Sequence, residues 1–253
     1  MNSTMMQVEY QDAVVIVRFN RDVTNAINLE FVLKLTEILK KTKNDPDTYA
    51  LVLSSSNEKF FSIGFDIPQL FTLTKDDFKI FYQAFNRVCL DLYTMPKPTI
   101  AAITGHAVAG GCIIAICCDC RYIAEGKKKM GLNETKLGVP VPYPADRILH
   151  QIVGFQNARE IIDTGEFYLP DMLFKMGVVD EVVPLDELEA KVIAKARFFS
   201  SVPQNAFALI KKNRVETVEA QILSKLKEKE IAFLNCWYAD ETRKRLKEAM
   251  KKF

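Results

Sequence analysis

Three glycines and one glutamate near the middle of the chain are residue types with which a protein could move a proton beside a carbonyl group. Gly105, Gly110 and Gly111 lie in a turn, where the absence of a Cβ lets the backbone approach a ligand closely. The apolar run 112–118 predicts a buried helix after this turn, and the free N–H groups at its start attract negative charge. Glu134 follows this helix. An anion-stabilising turn and one carboxylate are sufficient for proton transfer next to a carbonyl.

Other glycine motifs fit this segment less well. Gly105 and Gly110 have the spacing of a P-loop, but Gly-Cys at 111–112 replaces the Lys and Ser or Thr that would bind a nucleotide triphosphate. The dinucleotide fingerprint GxGxxG and the GxSxG elbow of serine hydrolases are absent. A pair of backbone N–H donors therefore remains as the chemistry that the glycines could provide.

The second donor of such a pair could come from the segment 62–67. Gly64 permits an unusual backbone angle that would direct the N–H of Phe65 into a cavity, although an ordinary turn explains the same residues equally well. Each candidate also has a purely structural interpretation. Phe65 could simply be buried in the core, Gly110 could allow close packing, and Glu134 could cap a helix after an asparagine.

Composition excludes several classes of protein. The 253 residues are 49% hydrophobic and carry a net charge of +2, so a large core is expected and a nucleic-acid partner is not. Four of the six cysteines crowd 112–120, where they suggest reduced, buried thiols. A zinc site would need CxxC pairs or nearby histidines, so no metal is expected. With no signal peptide and no long apolar run, we expect a soluble, cytoplasmic protein.

The first half of the chain predicts strands that alternate with helices. A β-hairpin is predicted over 6–19 and a helix capped by Asn28 follows it, ending near 44–46. Buried strands are predicted at 50–54 and 100–103, and an amphipathic helix capped by Thr74 or Asp76 lies between them. This alternation predicts an α/β core.

The second half is predicted to be mostly helical. A rigid, proline-rich loop at 138–144 precedes a helix over 145–163 that is broken at Gly154. One short strand is predicted at 179–183, and helices are predicted over 186–201, 204–213, 218–237 and 239–252. An apolar stripe on the last helices should pack on the core or on another subunit. We therefore divide the chain into a core at 1–195 and a C-terminal helical region at 196–253.

Five motifs in consistent order resemble the crotonase, or enoyl-CoA hydratase/isomerase, superfamily. They are NAIN (25–28), FFSIGFDI (60–67), GHAVAGGC (105–112), CDCRYIAE (118–125) and GLNETKLGV (131–139). The resemblance implies an α/β fold in which repeated ββα units form a spiral, a C-terminal region that makes trimer contacts, and an acyl-CoA thioester as substrate. Coenzyme A would be part of the substrate, and no separate cofactor is expected.

The resemblance also assigns candidate site residues. It implies that the N–H groups of Phe65 and Gly110 bind the thioester oxygen and that Glu134 is the catalytic acid and base. The residues that it places around coenzyme A are Asn25, Ala26, Gly64, Asp66, Ile67 and Gly111.

One departure from the family indicates which reaction to expect. Hydratases of this family carry two glutamates. The position that corresponds to the first glutamate is occupied here by Ile113, and its neighbour Ile114 offers no carboxylate either. Water addition needs both carboxylates, whereas one carboxylate is enough to move a proton from C2 to C4. The sequence around Glu134 is similar to mitochondrial-type Δ3,Δ2-enoyl-CoA isomerases, and we therefore expect this isomerisation.

Two alternatives stay open at this stage. A hydratase or acyl-CoA hydrolase could take a second acid from Asp146 or Glu166. A non-catalytic homologue could bind acyl-CoA, or bind RNA through the lysine-bearing helix 34–43. We expect self-association as a homotrimer or hexamer and no contact with a membrane.

Overall fold

The fold combines two β-sheets with ten helices in the computed structural model, which describes residues 5–251. The strands are β1 (Met6–Gln11), β2 (Val14–Phe19), β3 (Ala50–Ser55), β4 (Phe60–Ser62), β5 (Thr99–Ile103), β6 (His106–Val108), β7 (Cys120–Ala124), β8 (Met130–Gly131) and β9 (Glu181–Val183). The helices are α1 (Leu29–Asn44), α2 (Ile67–Phe71), α3 (Lys75–Tyr93), α4 (Gly110–Ile116), α5 (Glu134–Leu137), α6 (Tyr143–Thr164), α7 (Pro170–Lys175), α8 (Leu185–Ser200), α9 (Gln204–Trp237) and α10 (Asp240–Met250).

The larger sheet has six strands in the order β1-β2-β3-β5-β7-β9. β1 and β2 form the predicted antiparallel hairpin, and every other neighbouring pair is parallel. β3 and β5 are buried along their whole length, because helices and the smaller sheet cover the faces of the sheet. Continuous apolar runs are typical of such doubly covered parallel strands.

The smaller sheet has three parallel strands in the order β4-β6-β8. Each of its strands directly follows a strand of the larger sheet, in the pairs β3–β4, β5–β6 and β7–β8, and each pair leads into a helix. The repeated ββα unit that the family resemblance implied is therefore present three times. Consequently, the carboxyl ends of β4, β6 and β8 lie at one edge of the small sheet.

Local signals in the sequence place several helix ends correctly. Asn28 Oδ1 accepts a hydrogen bond from the N–H of Phe31 at 2.9 Å, and Thr74 Oγ1 accepts one from the N–H of Asp77 at 3.1 Å. Gly154 has a positive φ of 74° and breaks α6 as expected. These caps satisfy N–H groups that the helices leave without partners.

Other boundaries differ from the predictions. The two helices predicted at 204–213 and 218–237 are one continuous helix, α9. The residues between them contain no glycine or proline, and Val215 is buried against the core, so packing continues the helix. α4 begins at the glycine pair that precedes the apolar run 112–118 and ends at Ile116 rather than at residue 118, and the predicted turn before it contains the short strand β6. The predicted end of the last helix at 252 lies outside the described residues.

The C-terminal helices pack on the rest of the same chain. α9 contacts α3 and α6, and α10 contacts α2 and α5. A buried ion pair joins Lys211 of α9 to Asp119, with 2.7 Å between Nζ and Oδ2, and the backbone N–H of Thr99 donates to the same carboxylate oxygen. The predicted boundary between residues 195 and 196 falls inside α8.

In residues 5–251, no helix has the length and apolar character to cross a membrane.

Candidate active site

A cavity of about 80 Å³ lies where the three strands of the small sheet end. The segments that follow β4, β6 and β8 each contribute to its wall, because parallel strands bring their carboxyl ends to the same edge of a sheet. The wall is formed by Ile63, Phe65, Ile67, Val108, Ala109, Gly110, Asn133, Glu134, Leu137, Val139, Pro142, Phe233, Trp237 and Ala249. Four residues that the sequence nominated, Phe65, Ile67, Gly110 and Glu134, therefore meet in one cavity.

Gly64 brings the first two nominated N–H groups together. Its φ is 91°, and a Cβ at this position would lie 2.7 Å from the carbonyl oxygen of Val108 and 2.9 Å from the nitrogen of Gly110. A glycine is therefore required by both the backbone angle and the space. Within residues 5–251, the N–H groups of Phe65 and Gly110 donate to no other protein atom. These two neighbouring donors are free to bind an oxygen atom in the cavity.

The turn before α4 holds Gly110 in position. Ala109 has an unusual φ of 46°, and its N–H donates to the carbonyl oxygen of Gly131 at 2.9 Å. A non-glycine residue in such a conformation is strained by about 1–3 kcal/mol, and the surrounding structure must enforce it. The strained turn positions Gly110, the first residue of α4, on the cavity wall. The position of Gly110 therefore depends on tertiary packing around the turn.

The buried environment of Glu134 favours the protonated form of its carboxyl group. The residue is 6% exposed, and its Oε2 atom is buried without a hydrogen-bond partner. Burial raises the pKa of Glu134 from its ordinary value of 4.5 to about 7, although its own backbone N–H lowers the pKa slightly. A carboxyl group with a pKa near 7 exists in both protonation states at neutral pH, and it is therefore suited to accept a proton and to return it.

Unsatisfied polar atoms are concentrated around this cavity. In the described part of the chain, six buried side-chain nitrogen or oxygen atoms have no partner, and three of them are Asn133 Oδ1, Glu134 Oε2 and Trp237 Nε1. Buried polar groups in native proteins nearly always have a partner. Asn133 occupies the N-cap position of α5 but makes no capping hydrogen bond. Asn133 was not predicted as a site residue, because an asparagine before a short helix is normally a cap.

Of the residues nominated for coenzyme A, Ile67 is on the wall of the cavity, and the other five are not among the residues that form it. Asn25 is fully buried, and its Nδ2 donates to Ser55 Oγ at 2.9 Å. Asp66 caps α2 and forms an ion pair with Arg21 at 2.6 Å, and the same guanidinium donates to the carbonyl oxygen of Ala26. Arg21 was not nominated, although it stands in the same polar loop as Asn25.

Gly111 and Ile67 complete the nominated set. Gly111 packs against Ser62 so closely that a Cβ would collide with the serine backbone. Ile67 lies on the cavity wall at the start of α2. Contact of these residues with coenzyme A stays a prediction.

The positions considered for a second carboxylate lie outside the cavity wall. Ile113 is fully buried in the interior of α4. Asp146 pairs with Arg147, and Glu166 pairs with Lys136 at 2.5 Å with 61% of its side chain exposed. Glu134 is therefore the one carboxylate on the wall as far as the described residues define it.

The C-terminal helices form part of the wall. Phe233 and Trp237 lie one turn apart on α9, and Ala249 lies on α10. The apolar stripe of the last helices was the signal for this role, but the stripe alone did not distinguish packing on the chain's own core from packing on another subunit. Its inner residues Phe233 and Trp237 pack on the same chain's core.

The described residues contain no group of three or more His, Cys, Asp and Glu that could bind a metal ion. All six cysteines are free thiols, and four of them are buried. Burial raises the pKa of the Cys112 and Cys117 thiols well above the ordinary value, so both stay protonated and unreactive near neutral pH.

Comparison with known proteins places this site in a family. The Enoyl-CoA hydratase/isomerase family matches residues 9–253. Mitochondrial enoyl-CoA delta isomerase 1 of Mus musculus is 28% identical over 228 residues, which cover 90% of this chain and 78% of that protein. The crotonyl-CoA hydratase of Syntrophomonas wolfei is 31% identical over 190 residues, which cover 74% of this chain and 73% of that protein.

Solved structures agree on the fold. The crystal structure of human mitochondrial delta3-delta2-enoyl-CoA isomerase superposes with a TM-score of 0.94 at 25% identity and covers 98% of both chains. An enoyl-CoA hydratase from Bacillus halodurans has a TM-score of 0.90 at 21% identity, covering 97% of this chain and 100% of that one, and shows the fold alone. These findings confirm the predicted crotonase-like fold with its C-terminal helical region. The chain is thus a member of the enoyl-CoA hydratase/isomerase family, whose reactions on acyl-CoA include isomerisation and hydration.

Proposed function

We propose that this protein is a Δ3,Δ2-enoyl-CoA isomerase, which moves a double bond from the 3 to the 2 position of an enoyl-CoA. One observation carries the proposal: the cavity wall combines two free backbone N–H donors with a single carboxylate whose pKa is near 7. The similarity to enoyl-CoA delta isomerase 1 over 90% of the chain supports it.

In the proposed reaction, the thioester oxygen accepts hydrogen bonds from the N–H groups of Phe65 and Gly110. Negative charge develops on this oxygen when a proton leaves C2, so the two donors stabilise the dienolate more than the ground state. Loss of one such donor typically reduces kcat by about 10²–10³-fold. The donors are fixed before the substrate arrives, because Gly64 and the turn at Ala109 hold them.

Glu134 transfers the proton. Its ionised form takes a proton from C2, and the carbon–hydrogen electron pair moves into the dienolate. The protonated form then returns the proton at C4, the double bond becomes conjugated with the thioester, and the carboxylate is regenerated. No water is added and no other group gains a net proton, so one carboxylate is sufficient. The reaction needs no cofactor other than the coenzyme A of the substrate.

Hydration of a 2-enoyl-CoA is the second candidate, because one relative at 31% identity is a crotonyl-CoA hydratase. The apolar Ile113 and the ion-paired Asp146 and Glu166 offer no second carboxylate to hold a water molecule, which favours isomerisation.

Purified protein tested on 3-hexenoyl-CoA and on 2-hexenoyl-CoA separates the two reactions. We expect conversion of the 3-enoyl thioester to the 2-enoyl thioester, and little 3-hydroxyacyl product. Glu134→Gln should keep the fold and abolish isomerisation, whereas Glu166→Gln, a matched change of an exposed carboxylate, should leave the rate unchanged. Full activity in the Glu134 variant would refute the proposal.

Self-association and location are further parts of the proposal. Exposed apolar side chains on α9, including Leu209 and Ile210 at 63% exposure each, support assembly into a homotrimer or a hexamer. Light scattering of the purified protein would measure the assembly. We propose a cytoplasmic location, and fractionation would distinguish it from the mitochondrial location in the names of the isomerase relatives.

A further inference from the structure

The size of the cavity places a limit on the acyl group. The cavity measures about 80 Å³. A cavity of roughly 150 Å³ holds one benzene ring, so this cavity has about half the space that six ring carbons need. A bound 3-enoyl thioester places its carbonyl carbon and oxygen and C2, C3 and C4 between the N–H donors and Glu134. Little room then remains for further carbons.

The wall that limits the cavity belongs to the C-terminal helices. Phe233 and Trp237 are separated by four positions on α9 and therefore face the same side of that helix. Trp237 stacks on Phe78 with 4.3 Å between ring centroids, and Phe233 stacks on Tyr82 at 4.0 Å. Trp237 and Phe233 are 2% and 1% exposed, so neither ring has free space to turn aside for a longer chain.

Hydrogen bonds fix α10 and the end of α9 to the rest of the chain. Arg243 donates to the carbonyl oxygen of Phe71 at 2.7 Å, and its guanidinium lies 3.3 Å from the centroid of the Phe71 ring. Thr242 Oγ1 donates to the carbonyl oxygen of Gly138 at 2.9 Å. Tyr238, at the end of α9, donates to the carbonyl oxygen of Thr74 at 2.8 Å. Displacing this wall would break all of these contacts.

From these observations we infer that the enzyme is selective for short-chain acyl groups of about four to six carbons, and that Phe233, Trp237 and Ala249 set this limit. The inference rests on the proposed function, because it assumes an acyl-CoA in this cavity. The apolar wall is suited to a hydrocarbon chain, and the limit arises from the small volume and the tightly packed rings of the wall.

The first test measures kcat/KM for 3-enoyl-CoA substrates of four, six, eight and ten carbons. We expect kcat/KM to fall by roughly tenfold or more between six and ten carbons, because forcing methylenes into a packed wall is unfavourable. A flat or rising series up to ten carbons would overturn the inference.

Two variants test the assigned residues. Trp237→Phe keeps an aromatic ring but shortens it, and it loses no hydrogen bond because Nε1 has no partner. It should raise the ratio of ten-carbon to four-carbon kcat/KM by roughly tenfold. Ala249→Leu should lower the six-carbon to four-carbon ratio, whereas Lys247→Leu, which adds a leucine to an exposed position of the same helix, should leave it unchanged. Ratios that do not move in the two wall variants would contradict the assignment.

A binding experiment separates this inference from the proposed reaction. Calorimetry with butyryl-CoA and decanoyl-CoA needs no turnover, and it should show tighter binding of butyryl-CoA. Tighter butyryl-CoA binding without any isomerase activity would support the chain-length limit and refute the reaction. Equal or tighter binding of decanoyl-CoA would refute the limit even if isomerisation occurs.

Discussion

The raised pKa of Glu134 predicts that removing its carboxylate stabilises the fold in a pH-dependent way. In the folded protein the pKa is about 7, against an ordinary value of 4.5 that we assign to the unfolded chain. The unfolded state therefore releases this proton at lower pH than the folded state. Stability from this group is fully present below pH 4.5 and is lost as the pH rises through 7.

The magnitude follows from the difference between the two pKa values. Each pKa unit corresponds to about 1.4 kcal/mol, so ionised Glu134 lowers the free energy of unfolding by about 3 kcal/mol above pH 7. Glutamine has nearly the same shape as a protonated glutamic acid and does not titrate. The free energy of unfolding of Glu134→Gln should therefore rise relative to that of the wild type by about 2–3 kcal/mol between pH 5 and pH 8.

Urea denaturation of both proteins at pH 5, 6, 7 and 8 measures this difference. Other titrating groups affect both proteins equally and cancel in the comparison. Glu166→Gln serves as the control, because its carboxylate is exposed and should show no such trend. A difference between the Glu134 variant and the wild type that stays constant with pH would refute the buried, high-pKa state of Glu134, and with it the argument for proton transfer at neutral pH.

Three further predictions concern the same site and its support. Below pH 7, kcat/KM for isomerisation should rise about tenfold per pH unit and then level off, because only ionised Glu134 accepts a proton; a profile flat from pH 5 to 8 would contradict this. Gly64→Ala should reduce kcat by about 10²–10³-fold by displacing an oxyanion donor, as measured by steady-state kinetics with a melting curve to verify folding. Lys211→Met should lower the free energy of unfolding, measured by urea denaturation, by about 3 kcal/mol, because the buried Asp119 loses a partner. A decrease of less than about 1 kcal/mol would show that Arg214 and Thr99 are sufficient to stabilise the Asp119 carboxylate.

The sequence predicted those structural features that depend on residues close together in the chain. The hairpin, the cap at Asn28, the break at Gly154 and the alternation of strands and helices all follow from propensity, capping and periodicity over short windows, and the structure contains them. The ββα repeats were implied by the family resemblance. The continuity of α9 was missed, because burial of Val215 against the core, a tertiary contact, carries the helix through 214–217.

The candidate site was predictable only in part. Phe65, Gly110 and Glu134 were nominated, and the structure brings all three to one cavity. Asn133 and Trp237 were not nominated, since an asparagine before a helix resembles a cap and a tryptophan in an apolar stripe resembles core. Only the structure shows that each has a buried polar atom without a partner.

The residue types alone define which groups are available, namely glycines that free the backbone and one glutamate after them. The family resemblance adds that an isoleucine stands where hydratases carry a second carboxylate. The environment of these groups, including the burial of Glu134 and the wall of the cavity, arises only from the tertiary structure. The pKa of Glu134 depends on burial by residues from several elements, and the end of the cavity depends on α9 and α10. Both are properties of contacts between segments far apart in the chain, which no local pattern specifies.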